Sequence, residues 1–222
     1  MPVAALRPDP LAAPTTRPRR APAQMTATQA AVRVDRALED GVLMARVKDG
    51  DEHAFADLVN RYKDPLVNYL TRMTRSRERA EDLAQEAFVR VYRSAGRYRE
   101  RGQFQAFLFR IATNQLRSEE RRAARWRGLL PSLTAEQKLR PPAQSPQGAA
   151  LCDEAVNAVA AAIRRLPLHY RAPVVLREIE GWPYARIAKA LACREGTVKS
   201  RVHRAKDLLR EDLHDYWNGG SK

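Results

Sequence analysis

Gly196-Thr197-Val198-Lys199-Ser200-Arg201-Val202-His203-Arg204-Ala205, inside a longer run from Trp182 to Arg210, is the stretch whose reading decides the fold. Val198, Val202, Ala205 and Leu209 recur at spacings of four, three and four. That is one inward stripe of a helix starting near Glu195 and running to about Leu213. Just before it, Ile187, Ala188 and Leu191 mark a shorter helix over Tyr184–Leu191, and Ala192-Cys193-Arg194 is the turn between the two. At about 100° per residue, Thr197, Ser200, His203, Arg204 and Asp207 fall on the side away from the stripe, flanked by Lys199, Arg201 and Lys206. Such a face suits the major groove: short Ser and Thr let the backbone approach, Arg reaches guanine edges or phosphate, and flanking cations hold the phosphate rails. A charge run alone is more often a solvated face. A helix, a three-residue turn and a second helix with a basic, non-apolar outer face point to a DNA-reading helix-turn-helix.

The whole chain agrees with an anionic partner. Its 222 residues carry 40 Lys and Arg against 26 Asp and Glu, a formal net charge of +14. No apolar run approaches the roughly 18 residues of a spanning helix, and the N-terminus lacks the apolar core of a secretory signal, so no membrane insertion and a cytoplasmic location are expected. Cys152 and Cys193 form no metal-like cluster and fit a reducing compartment. No metal site and no cofactor are expected.

Outward from the decisive stretch, the pattern is helical everywhere and strand-period alternation of useful length is absent. Residues 1–36, rich in Pro, Ala and Arg, read as a disordered tail. A first helix from Leu38 through Val47 should stop at Asp49-Gly50-Asp51, with Asp51 capping a second over about Glu52–Met73. The second directs Phe55, Leu58, Val59, Tyr62, Leu66 and Tyr69 to a core, with a kink expected at Pro65. The third helix, about Arg77–Ala95, buries Ala80, Leu83, Ala84, Ala87, Phe88 and Val91. Its other face is Asp82, Gln85, Glu86, Val89 and Arg93, which on so basic a chain reads as either a protein-docking surface or a plain solvated face.

The loop from Gly96 to Gln103 holds Arg97, Tyr98 and Arg99, a base-stacking and phosphate-binding composition. A fourth helix over about Phe104–Trp126 buries Phe104, Phe107, Leu108 and Ile111 and gathers Arg110, Asn114, Arg117 and Arg121 on another side. Asn114, able to donate and accept, is a candidate base reader; taken singly it is more often an ordinary surface amide. Residues 128–150, with Pro131, Pro141, Pro142 and Pro146, read as an extended linker. Helices over about Leu151–Leu166 and Tyr170–Glu180 complete the second unit, with Pro173 in or near the first turn of the latter. The expected fold is therefore all-α. It comprises two small helical domains, 37–127 and 151–216, joined by a linker and followed by a short tail over 217–222.

The order of motifs resembles the extracytoplasmic-function group of bacterial RNA polymerase sigma factors. The resemblance rests on Gly50-Asp51 with Ala54-Phe55 and Arg61-Tyr62; Ala80-Glu81-Asp82-Leu83 with Gln85-Glu86 and Phe88; Ile111-Ala112 with Asn114; Leu166-Pro167 with Arg171; and Gly196 to Arg201 with Arg204-Ala205. It implies a subunit without enzymatic activity that directs core RNA polymerase to promoter DNA and traps melted strands. Asp82, Gln85, Glu86 and Val89 would dock on the clamp helices of the largest polymerase subunit. Arg97, Tyr98, Arg99, Arg110, Asn114 and Arg117 would hold the minus-ten element. Thr197, Lys199, Ser200, Arg201, His203 and Arg204 would read the minus-thirty-five duplex. It also implies an anti-sigma factor as a further partner. The chain departs from the family at Phe107, commonly Trp; at Pro183, commonly a Ser or Thr cap; and at Ala185-Arg186, commonly two acids. Two other readings compete. A stand-alone DNA-binding regulator would bind duplex operators without polymerase. An enzyme has little support, because His53, His169, His203 and His214 are scattered and no glycine-rich phosphate loop is present.

Overall fold

In the computed structural model, which describes residues 27–74, 76–99, 103–129 and 150–219, the first helix begins upstream of the expected Leu38. Helix α1 spans Ala27–Lys48, so residues 27–36 are helical and not part of a disordered tail. The reason is local: no Pro or Gly follows Pro22 until Gly41, and Ala, Gln and Arg extend an existing helix at little cost. The tail over 1–26, loop residues 100–102 and the linker over 130–149 lie outside the described residues.

The corner after α1 is made by two residues. Gly50 takes φ 91°, a left-handed conformation that only glycine adopts freely. Asp51 then accepts from the Ala54 amide at 3.0 Å and from Arg46 Nε at 2.9 Å, capping α2 (Glu52–Thr74). These donors hold the Asp51 carboxyl below its ordinary value of 3.8, the Ala54 amide foremost. Helix α2 runs on through Pro65 and buries Leu58, Tyr62, Leu66 and Tyr69; Phe55 and Val59 are only half-buried. Between α1 and α2 a buried Asp40 accepts from the Tyr62 hydroxyl and from Arg61 Nη1, the latter at 2.7 Å.

Ser76 caps α3 (Arg77–Ser94) by accepting from the Arg79 amide at 3.1 Å. The six residues assigned to its inward face are all buried. Its last expected residue, Ala95, instead opens a 3-10 turn over Ala95–Arg97. Helix α4 spans Phe104–Leu129, two residues into the expected linker. Its buried face is centred one residue away from the expected one: Phe104, Leu108, Phe109, Ala112 and Leu116 are buried, whereas Phe107 and Ile111 are half-buried at the edge. Tyr69 is fully enclosed between α2 and α4. Burial pushes its phenol up to about 12, and its hydroxyl lies 3.0 Å from Thr113 Oγ1.

The second unit begins with α5 (Ala150–Arg165) and α6 (Leu168–Val174). Pro173 is the sixth residue of α6, beyond the first turn where it was expected. Proline donates no amide hydrogen and its ring crowds the preceding turn. Past Val174 the helix widens into a π turn over Val175–Ile179. Gly181, at φ 66°, ends that turn. Helix α7 spans Tyr184–Leu191, as its pattern requires, and α8 spans Glu195–Gly219, longer than expected and reaching into the anticipated C-terminal tail. No strand occurs among the described residues.

Candidate nucleic-acid interface

The helix-turn-helix is held by its turn. Ala192 adopts φ 51°, ψ 48°, and its amide bonds back to the last turn of α7; the Cys193 amide reaches the Ala188 carbonyl at 3.0 Å. Cys193 packs half-buried against the core, as a small hydrophobe would. Val198, Val202 and Ala205 are buried, so α8 is anchored along the expected stripe.

The opposite side is open. Lys199, Ser200, His203 and Arg204 are exposed, while Thr197, Arg201, Lys206 and Asp207 are half-exposed. Lys199 pairs with Glu195 at 2.9 Å and lies 5.7 Å from the Tyr184 ring, so it is held near the turn. Ser200 Oγ donates to the Thr197 carbonyl at 3.0 Å, which keeps the hydroxyl close to the helix and lets the backbone approach a surface. His203 is 81% exposed at its side chain and pairs with Asp207 at 3.0 Å. Lys206 is drawn away from this face by Glu178 at 2.8 Å.

A second basic surface lies on the other unit. A cleft of about 610 Å³ is bordered by Arg97, Arg99, Arg110, Asn114 and, from α7, Lys189. Asn114 is exposed at its rim and accepts from Arg117 Nη1 at 3.3 Å. Arg110 lies over the Phe107 ring at 5.5 Å. Tyr98 does not project freely as its loop setting suggested. Its ring is packed against Phe107 and Phe104, with centroids 5.0 and 6.2 Å away, so it forms part of the cleft wall. Lys189 on this cleft had no counterpart in the sequence reading, because its helix belongs to the other unit.

On α3 the residues Asp82, Gln85, Glu86 and Val89 are all exposed, in one row on the side facing away from the core. Arg90 hydrogen-bonds Glu86, lowering its carboxyl below the ordinary value against an opposing contribution from burial. Tyr92, absent from the face read in the sequence, extends the row: it is 42% exposed, Val89 is 40% exposed, and the Tyr92 ring leans on Phe55 at 5.0 Å. The signal was there, since Tyr92 stands three residues beyond Val89 on the same helical row.

The two units touch. Arg171, only 8% exposed, donates from Nε to the Leu166 carbonyl at 3.1 Å and from Nη1 to the Met73 carbonyl of α2. Arg72 meets Glu180 at 3.2 Å. Arg186, one of the departures noted above, lies over the Trp182 ring at 4.2 Å and donates to Gln105 of α4. Among the described residues no helix is long and apolar enough to cross a membrane.

Comparison with known proteins follows the same division. The family models described as Sigma-70 region 2 and Sigma-70, region 4 match residues 58–127 and 157–209. The RNA polymerase sigma-H factor of Pseudomonas aeruginosa is 35% identical over 183 residues, covering 79% of this chain and 94% of that protein. The ECF RNA polymerase sigma factor SigW of Bacillus subtilis is 34% identical over 177 residues, covering 77% of this chain and 94% of that protein. Among solved structures, CnrH in complex with the cytosolic domain of CnrY superposes with a TM-score of 0.59 at 24% identity, over 79% of this chain and 97% of that one. The sigma factor RpoE of Bartonella quintana, in complex with the anti-sigma factor NepR, gives 0.57 at 24% identity, over 72% and 96%.

Proposed function

The chain belongs to the sigma-70 family, in its extracytoplasmic-function group, and from that premise we propose which of its surfaces performs each task of a promoter-specificity subunit. Such a subunit performs no catalysis; it joins core RNA polymerase and directs initiation at promoters. The unit α1–α4 carries the polymerase contact on Asp82, Gln85, Glu86 and Val89, with Tyr92 as the apolar end of the row. The mixture of carboxylates and apolar side chains on an otherwise basic chain supports a protein partner there. The cleft bounded by Arg97, Arg99, Arg110 and Asn114, with Arg117 beside it, takes the unpaired minus-ten strand. Its mixed aromatic and cationic wall suits bases held outside a stack. Tyr98 supports that wall.

The unit α5–α8 lays α8 in the major groove of the minus-thirty-five duplex. Ser200, His203 and Arg204 face base edges, and Thr197, Lys199 and Arg201 lie near phosphates. The observation that carries the reading is the two-sidedness of α8: Val198, Val202 and Ala205 buried, Lys199, Ser200, His203 and Arg204 exposed. Melting is driven by binding energy, so no nucleotide site is required. The cytoplasm is the place of action, and an anti-sigma protein is the expected regulator, as the family resemblance implies.

Two substitutions test the division of labour. Glu86→Arg should abolish co-purification with core polymerase. Asn114→Ala should leave core binding intact and weaken open-complex formation by about 10-fold, the worth of a lost base contact. Loss of core binding in Asn114→Ala, with Glu86→Arg unaffected, would reverse the assignment.

A further inference from the structure

We propose that Asp207 is a positioning residue that fixes His203 as a hydrogen-bond acceptor, so that this chain selects an exocyclic amine, adenine N6 or cytosine N4, at one step of the minus-thirty-five duplex. The proposal rests on the placement of α8 in the major groove given above and names what one of its side chains reads. His203 faces outward from the middle of α8, with 81% of its side chain exposed. It is not free to present either nitrogen. Its Nδ1 lies 3.0 Å from Asp207 Oδ2, one turn further along the helix. The other oxygen of that carboxylate, Oδ1, accepts from Arg210 Nη1 at 2.7 Å. The carboxylate is thus held from both sides, and its short side chain keeps it against the helix.

The consequence follows from imidazole chemistry. A neutral ring carries one hydrogen, and a carboxylate can only accept, so the hydrogen resides on Nδ1. Nε2, on the outer edge of the ring, is left as a bare acceptor. In the major groove an acceptor pairs with the N6 amine of adenine or the N4 amine of cytosine. It is repelled by guanine N7 and O6 and by thymine O4. Serine at position 200 and arginine at 204 leave room for other pairings, but an oriented His203 does not.

The test is selection of randomised minus-thirty-five sequences by holoenzyme reconstituted from core polymerase and the full chain, in mildly alkaline buffer. The wild-type chain should enrich adenine or cytosine at one position by about 2- to 10-fold, the worth of one net hydrogen bond. His203→Ala should flatten that position alone. Asp207→Asn is the sharper variant: Arg210 holds the amide oxygen, so the amide NH2 faces Nδ1 and donates to it. That moves the ring hydrogen to Nε2 and turns the preference away from cytosine, whose major-groove edge offers no acceptor, toward guanine or thymine. Nitrogen-15 NMR of the free protein should show the same move, from Nδ1–H in the wild type to Nε2–H in the variant. An Asp207→Asn selection identical to wild type overturns the proposal. If Arg204→Ala still alters the selected sequence, only the role of Asp207 is lost. If neither Arg204→Ala nor His203→Ala changes it, the placement of α8 in the groove is lost as well.

Discussion

Trp182 of the second unit packs against Phe109 of the first, with ring centroids 4.8 Å apart. Both rings are buried. The contact therefore joins the two units through their cores, and Arg171, Arg72–Glu180 and Arg186–Gln105 surround it with polar links. Promoter elements at minus ten and minus thirty-five are separated by roughly 25 base pairs, or roughly 85 Å of duplex at 3.4 Å per step. A packed body of this chain's size is roughly 40 Å across. The units must part when both elements are engaged.

That separation can be provoked. Arg72→Glu sets two carboxylates against each other at Glu180, whose own carboxyl is already raised by burial and lowered in part by Arg72. Small-angle scattering should report a larger radius of gyration for Arg72→Glu at neutral pH and recovery on adding Glu180→Arg. Because the Glu180 value lies above the ordinary 4.5 in the packed state, the single variant should close again as the solution is acidified and lose that closure as pH rises through the raised value. An unchanged radius in the single variant would show that the apolar contact alone holds the units together.

Lys199 is expected to act on phosphate and not on base identity. Lys199→Gln should lower the slope of log binding constant against log salt by about 0.9 for holoenzyme on promoter DNA, without changing the preferred sequence. A changed consensus would move Lys199 into the group that reads bases.

The turn of the helix-turn-helix carries avoidable strain. Ala192 sits at φ 51°, which costs a non-glycine residue about 1 kcal/mol. Ala192→Gly should raise the stability of the second unit by about that amount in urea denaturation, with promoter binding unchanged. A loss of stability would mean that the Ala192 methyl packs to greater effect than its backbone is strained.

Asp51 gives a pH-dependent cap. Its carboxyl is held below 3.8, so its contribution is present in full above that value and disappears as pH falls beneath it. Asp51→Ala should melt earlier than wild type near neutrality, and the two should converge in acid. Circular dichroism across that range measures it.

Much of this was legible from residue spacing. The inward faces of α3 and α8 follow because their small and branched residues repeat with helical period and no Pro or Gly interrupts them. Residues 27–36 are helical although their Ala- and Arg-rich composition, next to the proline-rich segment, reads as a tail. Pro173 lies beyond the first turn because α6 begins at Leu168, two residues before the expected Tyr170. The Phe109–Trp182 contact and the approach of Lys189 to the cleft of Arg97, Arg110 and Asn114 join residues far apart in the chain, and no periodicity encodes such a pairing. Arg186 shows the limit best. It stood out only as a departure from the family pattern, and its partners, Trp182 and Gln105, emerge when the two units meet.

The central claim is that this chain confers promoter choice on RNA polymerase. Run-off transcription of genomic DNA by purified core enzyme, with and without the full chain and with 5′ ends mapped, tests it most directly. The expected result is a set of discrete start sites, present only with the chain, each preceded by shared sequences near minus ten and minus thirty-five. Transcripts that begin at the same scattered positions with or without the chain would contradict the claim.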